Sequence, residues 1–321
     1  MHVQVRFTAG LHPNRGEFSM VSQQTIQKNP RKRFSFTPYL YVLPAFVLYA
    51  IFILLPILNT FRLSLFDWTG FDAEKWIGIK NYAELIHDSA FKSGLVNNLK
   101  FIGFFTIFPI AIALILTSLL ARKGLKGRNL FQTSYFLSYI MPMVVVGVVW
   151  RWIYNPIFGP LNTTLKSVGL GSLAHPWLGD FNLALPAVGL IATWVEYGYC
   201  LTLFMAGVQR IEESLYDAAK VDGANSWQQL LNVTIPGISA EINVALVTTF
   251  IAALRVFDLV FVTTKGGPGD STLVTSLWLY ENAFQINRVG YAAAIAVVQT
   301  VIILVISYFL VNRSNQSTGE A

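Results

Sequence analysis

Residues 215–236 read Leu-Tyr-Asp-Ala-Ala-Lys-Val-Asp-Gly-Ala-Asn-Ser-Trp-Gln-Gln-Leu-Leu-Asn-Val-Thr-Ile-Pro, a polar interruption between two long apolar segments. The spacing predicts two short helices that meet at a glycine turn. The first spans about 212–222, with Ser214 and Asp217 at capping-box spacing and Ile211, Leu215 and Ala218 on one face. Gly223 stands where a helix commonly stops in a left-handed residue. Ser226 and Gln229 give a second box, Trp227, Leu230 and Leu231 supply an apolar face, and Pro236 ends the unit. By patterning alone this is either a docking element or a passive helical cap on a bundle.

The surrounding chain says what kind of bundle. Of 321 residues, 54% are hydrophobic and 12% charged, and the mean hydropathy is +0.52. Soluble domains carry about 25% charged residues, so most of these side chains face lipid or other apolar helices. Six segments approach the roughly 20 apolar residues needed to cross a bilayer: 38–65, 95–121, 130–154, 183–208, 238–264 and 289–311. The predicted fold is an all-α polytopic membrane protein with six transmembrane helices. Pro44, Pro56, Pro109 and Pro142 lie inside spans, where neighbours can re-satisfy the freed carbonyls and kinks are expected.

Basic residues set the orientation. Arg6, Arg15, Lys28, Arg31, Lys32 and Arg33 precede the first span. Arg122, Lys123, Lys126 and Arg128 follow the second, Arg210 and Lys220 the fourth, and Arg313 the sixth. The opposite loops hold only Lys75, Lys80, Lys92, Lys166, Lys265 and Arg288. Both termini and the 209–237 loop are therefore assigned to the cytoplasm. The net charge of +6 is topogenic in this pattern and does not point to nucleic acid. The first 37 residues form a basic tail without a signal-peptide core, with Arg31-Lys32-Arg33 placed to meet anionic lipid. Translation could start at Met1 or Met20. Residues 312–321 form a second tail. Cys200, the single cysteine, permits no intramolecular disulfide and has no metal-ligand spacing.

The polar loop resembles the EAA loop of binding-protein-dependent ABC importer permeases: Glu-Ala-Ala, three residues, Gly, nine residues, Ile-x-Leu-Pro. Here Asp217-Ala218-Ala219 is followed by Lys220-Val221-Asp222 and Gly223, and nine residues later by Val233-Thr234-Ile235-Pro236. Asp replaces Glu, Val replaces Ile and Ile replaces Leu, each keeping charge or apolar character. Along the chain, Asn98-Leu99, Trp150-Arg151-Trp152, Gly159-Pro160-Leu161-Asn162, Trp194-x-x-x-Gly198, Ala206-Gly207-Val208-Gln209, Phe257-Asp258 and Gly266-Gly267-Pro268 resemble the MalF-type subunit of carbohydrate importers, in order.

The resemblance implies a type I ABC importer permease fold in a bacterial or archaeal inner membrane. It implies a pore-forming, non-enzymatic subunit for a sugar, oligosaccharide, polyol or related solute. The implied partners are an extracytoplasmic solute-binding protein, a second permease subunit of the same or a different sequence, and two ATPase subunits. Those ATPases bind ATP and Mg; this chain lacks Gly-x-x-x-x-Gly-Lys-Ser/Thr, and no cofactor or metal is expected in it. Asp217, Ala218, Ala219, Asp222, Gly223 and Pro236 are the implied ATPase-coupling residues.

Ionisable groups at membrane depth are functional candidates. Glu196 lies near the middle of span four beside Tyr197 and Tyr199, with no basic residue within a turn. It is a solute contact, a subunit-interface group or a protonated buried carboxyl. Arg255 and Asp258, three apart in span five, could pair on one face or line the solute path. Lys100 and Arg151 suit interfacial snorkelling. The loop at 66–93, with Trp68, Trp76, Gly78-x-x-Asn81 and Tyr82, is either a platform for the binding protein or an interfacial aromatic belt. A secondary transporter would often show an internal repeat, and none is visible. A membrane enzyme would cluster acid-base groups, whereas His2, His12, His87 and His175 are scattered.

Overall fold

The computed structural model describes residues 37–120 and 128–319. The basic tail, Met20 and the Arg122, Lys123 and Lys126 cluster lie outside the described residues. The chain divides into two units, Met1–Leu54 and Leu55–Ala321. The described part of the first is a helix, Thr37–Tyr49, followed by a π-helical turn at Ala50–Leu54. The helix carries Pro44 without a break, and large apolar side chains of helix and turn, Leu40, Phe46 and Phe52 among them, are exposed.

Among the described residues, four helices are long and apolar enough to cross a membrane: Leu40–Leu63, Ser89–Leu120, Ala184–Val208 and Val289–Asn312. Two bent pairs bring the number to as many as six if each pair is one span. Span three is Ser134–Ile140 and Met143–Ile153, bent by 109°. The bend falls at Pro142, which lacks an N–H and disfavours a helical conformation in the residue before it. The helix Ser239–Leu254 meets the preceding Ser226–Gly237 at 77°. The fold is thus all-α and multi-span, apart from one two-residue antiparallel bridge, Phe66–Asp67 with Lys75–Trp76.

Prolines leave a second mark. The helix from Ser89 contains a π-helical turn, Gly103–Ile107, just before Pro109, and a like turn at Leu230–Thr234 precedes Pro236. The Phe108 N–H donates to Gly103 O, and Ile235 N–H to Leu230 O, each five residues back. Widening the helix by one residue relieves the proline clash while keeping backbone groups paired, which an apolar surround demands.

Span four is the central element. Val188, Ile191, Val195, Leu201 and Phe204 are buried on it. Its N-terminal half packs with Phe101, Phe105, Val146, Leu259 and Val260, and its C-terminal half with Ala113, Tyr135, Ile238 and Ala245. Span five is not one helix. It stops at Leu254, turns through Arg255–Phe257, and resumes as Asp258–Thr263. The carbonyls freed by the break are captured from neighbouring spans. Asn98 Nδ2 donates to Ala253 O and Leu254 O at 3.0 Å each, and Gln299 Nε2 donates to Leu254 O at 2.9 Å. Asn98 Oδ1 in turn accepts from the N–H and hydroxyl of Thr275 at 3.0 Å. The Asn98 side chain thus makes every hydrogen bond it can.

Before span two, Asp88 is a hub. Its Oδ1 caps the span by accepting from Ala90 and Phe91 N–H at 2.8 and 3.1 Å. Its Oδ2 accepts from Trp278 Nε1 at 2.7 Å and Tyr291 OH at 2.5 Å. Arg288 adds a bidentate pair with Glu84, 2.7 Å on both arms, and lies over the Tyr291 ring. In the 66–93 loop, Asn81 Nδ2 donates to Ser64 O and Phe66 O, and Tyr82 OH bonds Ser64 Oγ at 2.6 Å. Asn81 and Tyr82 therefore fold the loop, while Phe71 and Trp76 are left exposed.

Candidate functional site

Between spans four and five the chain forms a hairpin. After Val208 a turn leads into the helix Glu213–Val221. Gly223 then takes φ +78°. Gly223 N–H donates to Lys220 O at 3.0 Å and Ala224 N–H to Ala219 O at 2.9 Å, the paired bonds of a Schellman stop. A Cβ at Gly223 would meet nothing within 4 Å, so backbone conformation alone requires glycine there. The return leg runs through Ser226–Gln229, the π-turn and Ile235–Gly237.

The capping expectations shift. The first helix is entered from Glu212 without a side-chain cap, and Ser214 Oγ instead bonds Glu212 Oε2 at 3.3 Å. Ser214 is already inside the helix, so the Ser214/Asp217 box does not form. The second box is Asn225 with Gln228, one residue before the predicted Ser226/Gln229. Asn225 is an equally good cap and directly follows the Schellman stop. Gln229 Nε2 donates to Ala224 O at 2.9 Å.

The two legs are tied by Tyr216 OH to Thr234 Oγ1 at 3.0 Å and by Ile211 lying over Gly237. Leu230, Thr234 and Ile238 are buried beneath. The other side is open and apolar. Val221 is 88% exposed and Trp227 59%, with Leu215 and Leu231 also exposed. Ala218, Asp217, Asp222, Gly223 and Pro236 are exposed and Ala219 is half-buried. Asp217 pairs with Lys220 at 2.9 Å; that hydrogen bond, reinforced by the charge itself, pushes the Lys220 amine above its ordinary pKa. Exposed apolar residues on an element rimmed by Glu212, Glu213, Asp217, Lys220 and Asp222 mark an interaction surface.

At mid-membrane, Glu196 is buried on span four and no side chain among the described residues pairs with it. Tyr139 and Tyr199 stack with centroids 5.1 Å apart, and Thr248 Oγ1 donates to Tyr199 OH at 3.1 Å. Gly198 sets span four against span three; a Cβ there would strike the Tyr135 carbonyl. Tyr197, two residues before Tyr199, is half-buried and packs against the cluster of Ala113, Leu201 and Phe204. Tyr139 and Thr248 were not singled out from sequence. The available signal was Tyr139's place just before the Pro142 break.

Arg255 and Asp258 are not brought together. The helix ends between them, both are exposed, and no ion pair joins them. The i,i+3 reading fails because it assumes an unbroken helix.

Residues 110–318 match the family described as "Binding-protein-dependent transport system inner membrane component". The "Probable ABC transporter permease protein YurN" of Bacillus subtilis is 38% identical over 272 residues, covering 84% of this chain and 93% of that protein. The "Trehalose/maltose transport system permease protein MalF" of Thermococcus litoralis is 31% identical, over 86% of this chain and 93% of its own length. Among solved structures, a chain of a bacterial ABC transporter involved in the import of the acidic polysaccharide alginate superposes with a TM-score of 0.76. It is 25% identical, over 88% of this chain and 96% of that one.

Proposed function

The chain belongs to the binding-protein-dependent transport system inner membrane components, non-catalytic permease subunits of ABC import systems, and from that premise we propose that it is a MalF-type carbohydrate permease. It forms half of the translocation path for a sugar, oligosaccharide, polyol or related solute. An extracytoplasmic binding protein delivers the solute, a second permease completes the path, and two ATPase subunits that bind ATP and Mg drive it. Sugar-transport relatives of similar length support this reading.

The observation that carries it is the hairpin of residues 209–237. It is closed at its base and stiffened by the Gly223 stop, and it presents Leu215, Ala218, Val221 and Trp227 outward. These side chains, with Asp217, Ala219, Asp222 and Pro236, form the ATPase dock. The unit sits in a permease domain of residues 38–311, flanked by cytoplasmic tails at 1–37 and 312–321.

Glu196, Tyr197 and Tyr199, joined by Tyr139 and Thr248, form the solute-contact patch, and Arg255 and Asp258 line the path at the span-five break. A carboxylate beside stacked phenols suits a ligand with hydroxyl donors and apolar ring faces. The test is a ligand screen on the cognate binding protein, followed by uptake into proteoliposomes holding the assembled transporter. ATP-dependent uptake of a carbohydrate is the expected result; uptake confined to amino acids, peptides or metal ions overturns the carbohydrate assignment.

A further inference from the structure

The base of the hairpin holds one more link. Arg210, just past the end of span four, pairs through Nη2 with Oε1 of Glu241, in the first turn of the span-five helix. The partners sit in different surroundings: the Arg210 side chain is 70% exposed and that of Glu241 9%. Glu241 is enclosed by Gly207 and Ile238, and a Cβ at Gly207 would come within 2.9 Å of Glu241 Cδ. Glu241 Oε2 is buried without a hydrogen-bond partner among the described residues.

A buried carboxylate left half-satisfied is costly, and a hydrophobic residue of similar size would serve stability better. What the pair supplies is direction. Its cation rides on the root of the hairpin and its anion is embedded in span five. Displacing the hairpin without span five would strand the Glu241 charge. The Tyr216–Thr234 bond and the Ile211–Gly237 contact tie one leg to the other; the ion pair reaches past Ile238 into the span-five helix.

We propose that Arg210–Glu241 is the positioning pair that carries displacement of the docked hairpin into span five, so that spans four and five move as one body. This rests on the hairpin being the ATPase dock. The test uses the whole transporter with its binding protein in proteoliposomes, and reads solute imported per ATP hydrolysed, with ATPase co-purification as control. Arg210→Gln is expected to keep the ATPase bound while the ratio falls at least about fivefold, the low end of ordinary coupling between sites. Arg210→Lys, which keeps the charge, is expected to restore much of it. An unchanged ratio in Arg210→Gln overturns the proposal. If Arg210→Gln is lost from the membrane, Glu241→Gln, which keeps the shape and removes the charge, takes its place with the same two outcomes. The unsubstituted transporter separates the two readings: ATPase that does not co-purify with it, or no ATP-dependent uptake, defeats the docking assignment itself. A working transporter with an unchanged variant ratio defeats only the role of the pair.

Discussion

The Ala224 N–H donates to the Ala219 carbonyl at 2.9 Å across Gly223, and this bond turns the hairpin back toward the membrane. It exists because Gly223 adopts φ +78° in open space. Gly223→Ala adds strain of about 1 kcal/mol and no clash within the chain. Gly223→Asn is tolerated better, because Asn visits the left-handed region more readily. Both variants are expected to insert normally. Gly223→Val is expected to insert yet lose ATPase co-purification and uptake, read by membrane fractionation, pull-down and transport. Full uptake in Gly223→Val would count against this turn as part of the dock.

The apolar face gives a separate prediction. Val221 and Trp227 are exposed, so substituting them costs the isolated chain little. If they anchor the ATPase, Trp227→Ala or Val221→Asp removes about 2 kcal/mol of binding, roughly thirtyfold in affinity. The measurement is ATPase binding to the permease in nanodiscs. Unchanged affinity in both variants places the dock elsewhere.

Asn98 bridges spans two and five and the segment at Thr275. Asn98→Ala leaves two carbonyls of the break with fewer donors and one buried N–H unpaired, and is expected to cost about 3 kcal/mol. Thermal unfolding in detergent reads this. Gln299→Ala is milder, because Leu254 O keeps its bond from Asn98.

Acid sensitivity is predicted for the Asp88 hub. Burial pushes its carboxyl up, but the hydrogen bonds from Tyr291, Trp278, Phe91 and Ala90 outweigh this and hold its pKa below 3.8. At Glu84, the Arg288 hydrogen bond acts against burial and lowers the pKa from 4.5. A carboxylate with a depressed folded pKa contributes stability above its unfolded value and loses it as pH falls through the folded one. Unfolding temperature in detergent should therefore drop as pH falls below about 4, and the slope should be shallower in Asp88→Asn. Equal slopes would remove Asp88 as a source.

At Glu196, a solute contact and a subunit contact separate cleanly. Glu196→Gln is expected to raise the KM for uptake roughly tenfold or more, the scale of a lost hydrogen bond to a charged group, with the permease pair intact. Loss of the second permease on purification, with unchanged KM in whatever assembles, would assign Glu196 to the interface.

Much of this was legible in the chain. The apolar runs gave the spans, and the Asp217-Ala218-Ala219 to Pro236 spacing gave the hairpin and its glycine stop, because both are local signals. The second cap lies one residue before the expected one, since Asn225 and Ser226 compete for one position and only the preceding turn chooses, while the first helix is entered from Glu212 with no side-chain cap. The span-five break was not legible. Arg255-Val256-Phe257 contains no helix breaker, and what permits the break is Asn98 and Gln299, far away in sequence. Tyr139 and Thr248 were missed for the same reason, as they reach Tyr199 from other spans. Glu241 could have been noticed as a lone acid in an apolar run, but its partner Arg210 lies across the hairpin.

The most direct measurement is solute flux into liposomes holding this chain alone, beside liposomes holding it with the second permease, the ATPases and the binding protein. The prediction is no flux from the chain alone and ATP-dependent uptake from the assembly. Robust uptake by the chain alone, without ATP, would contradict its assignment as a permease subunit driven through the Gly223 hairpin.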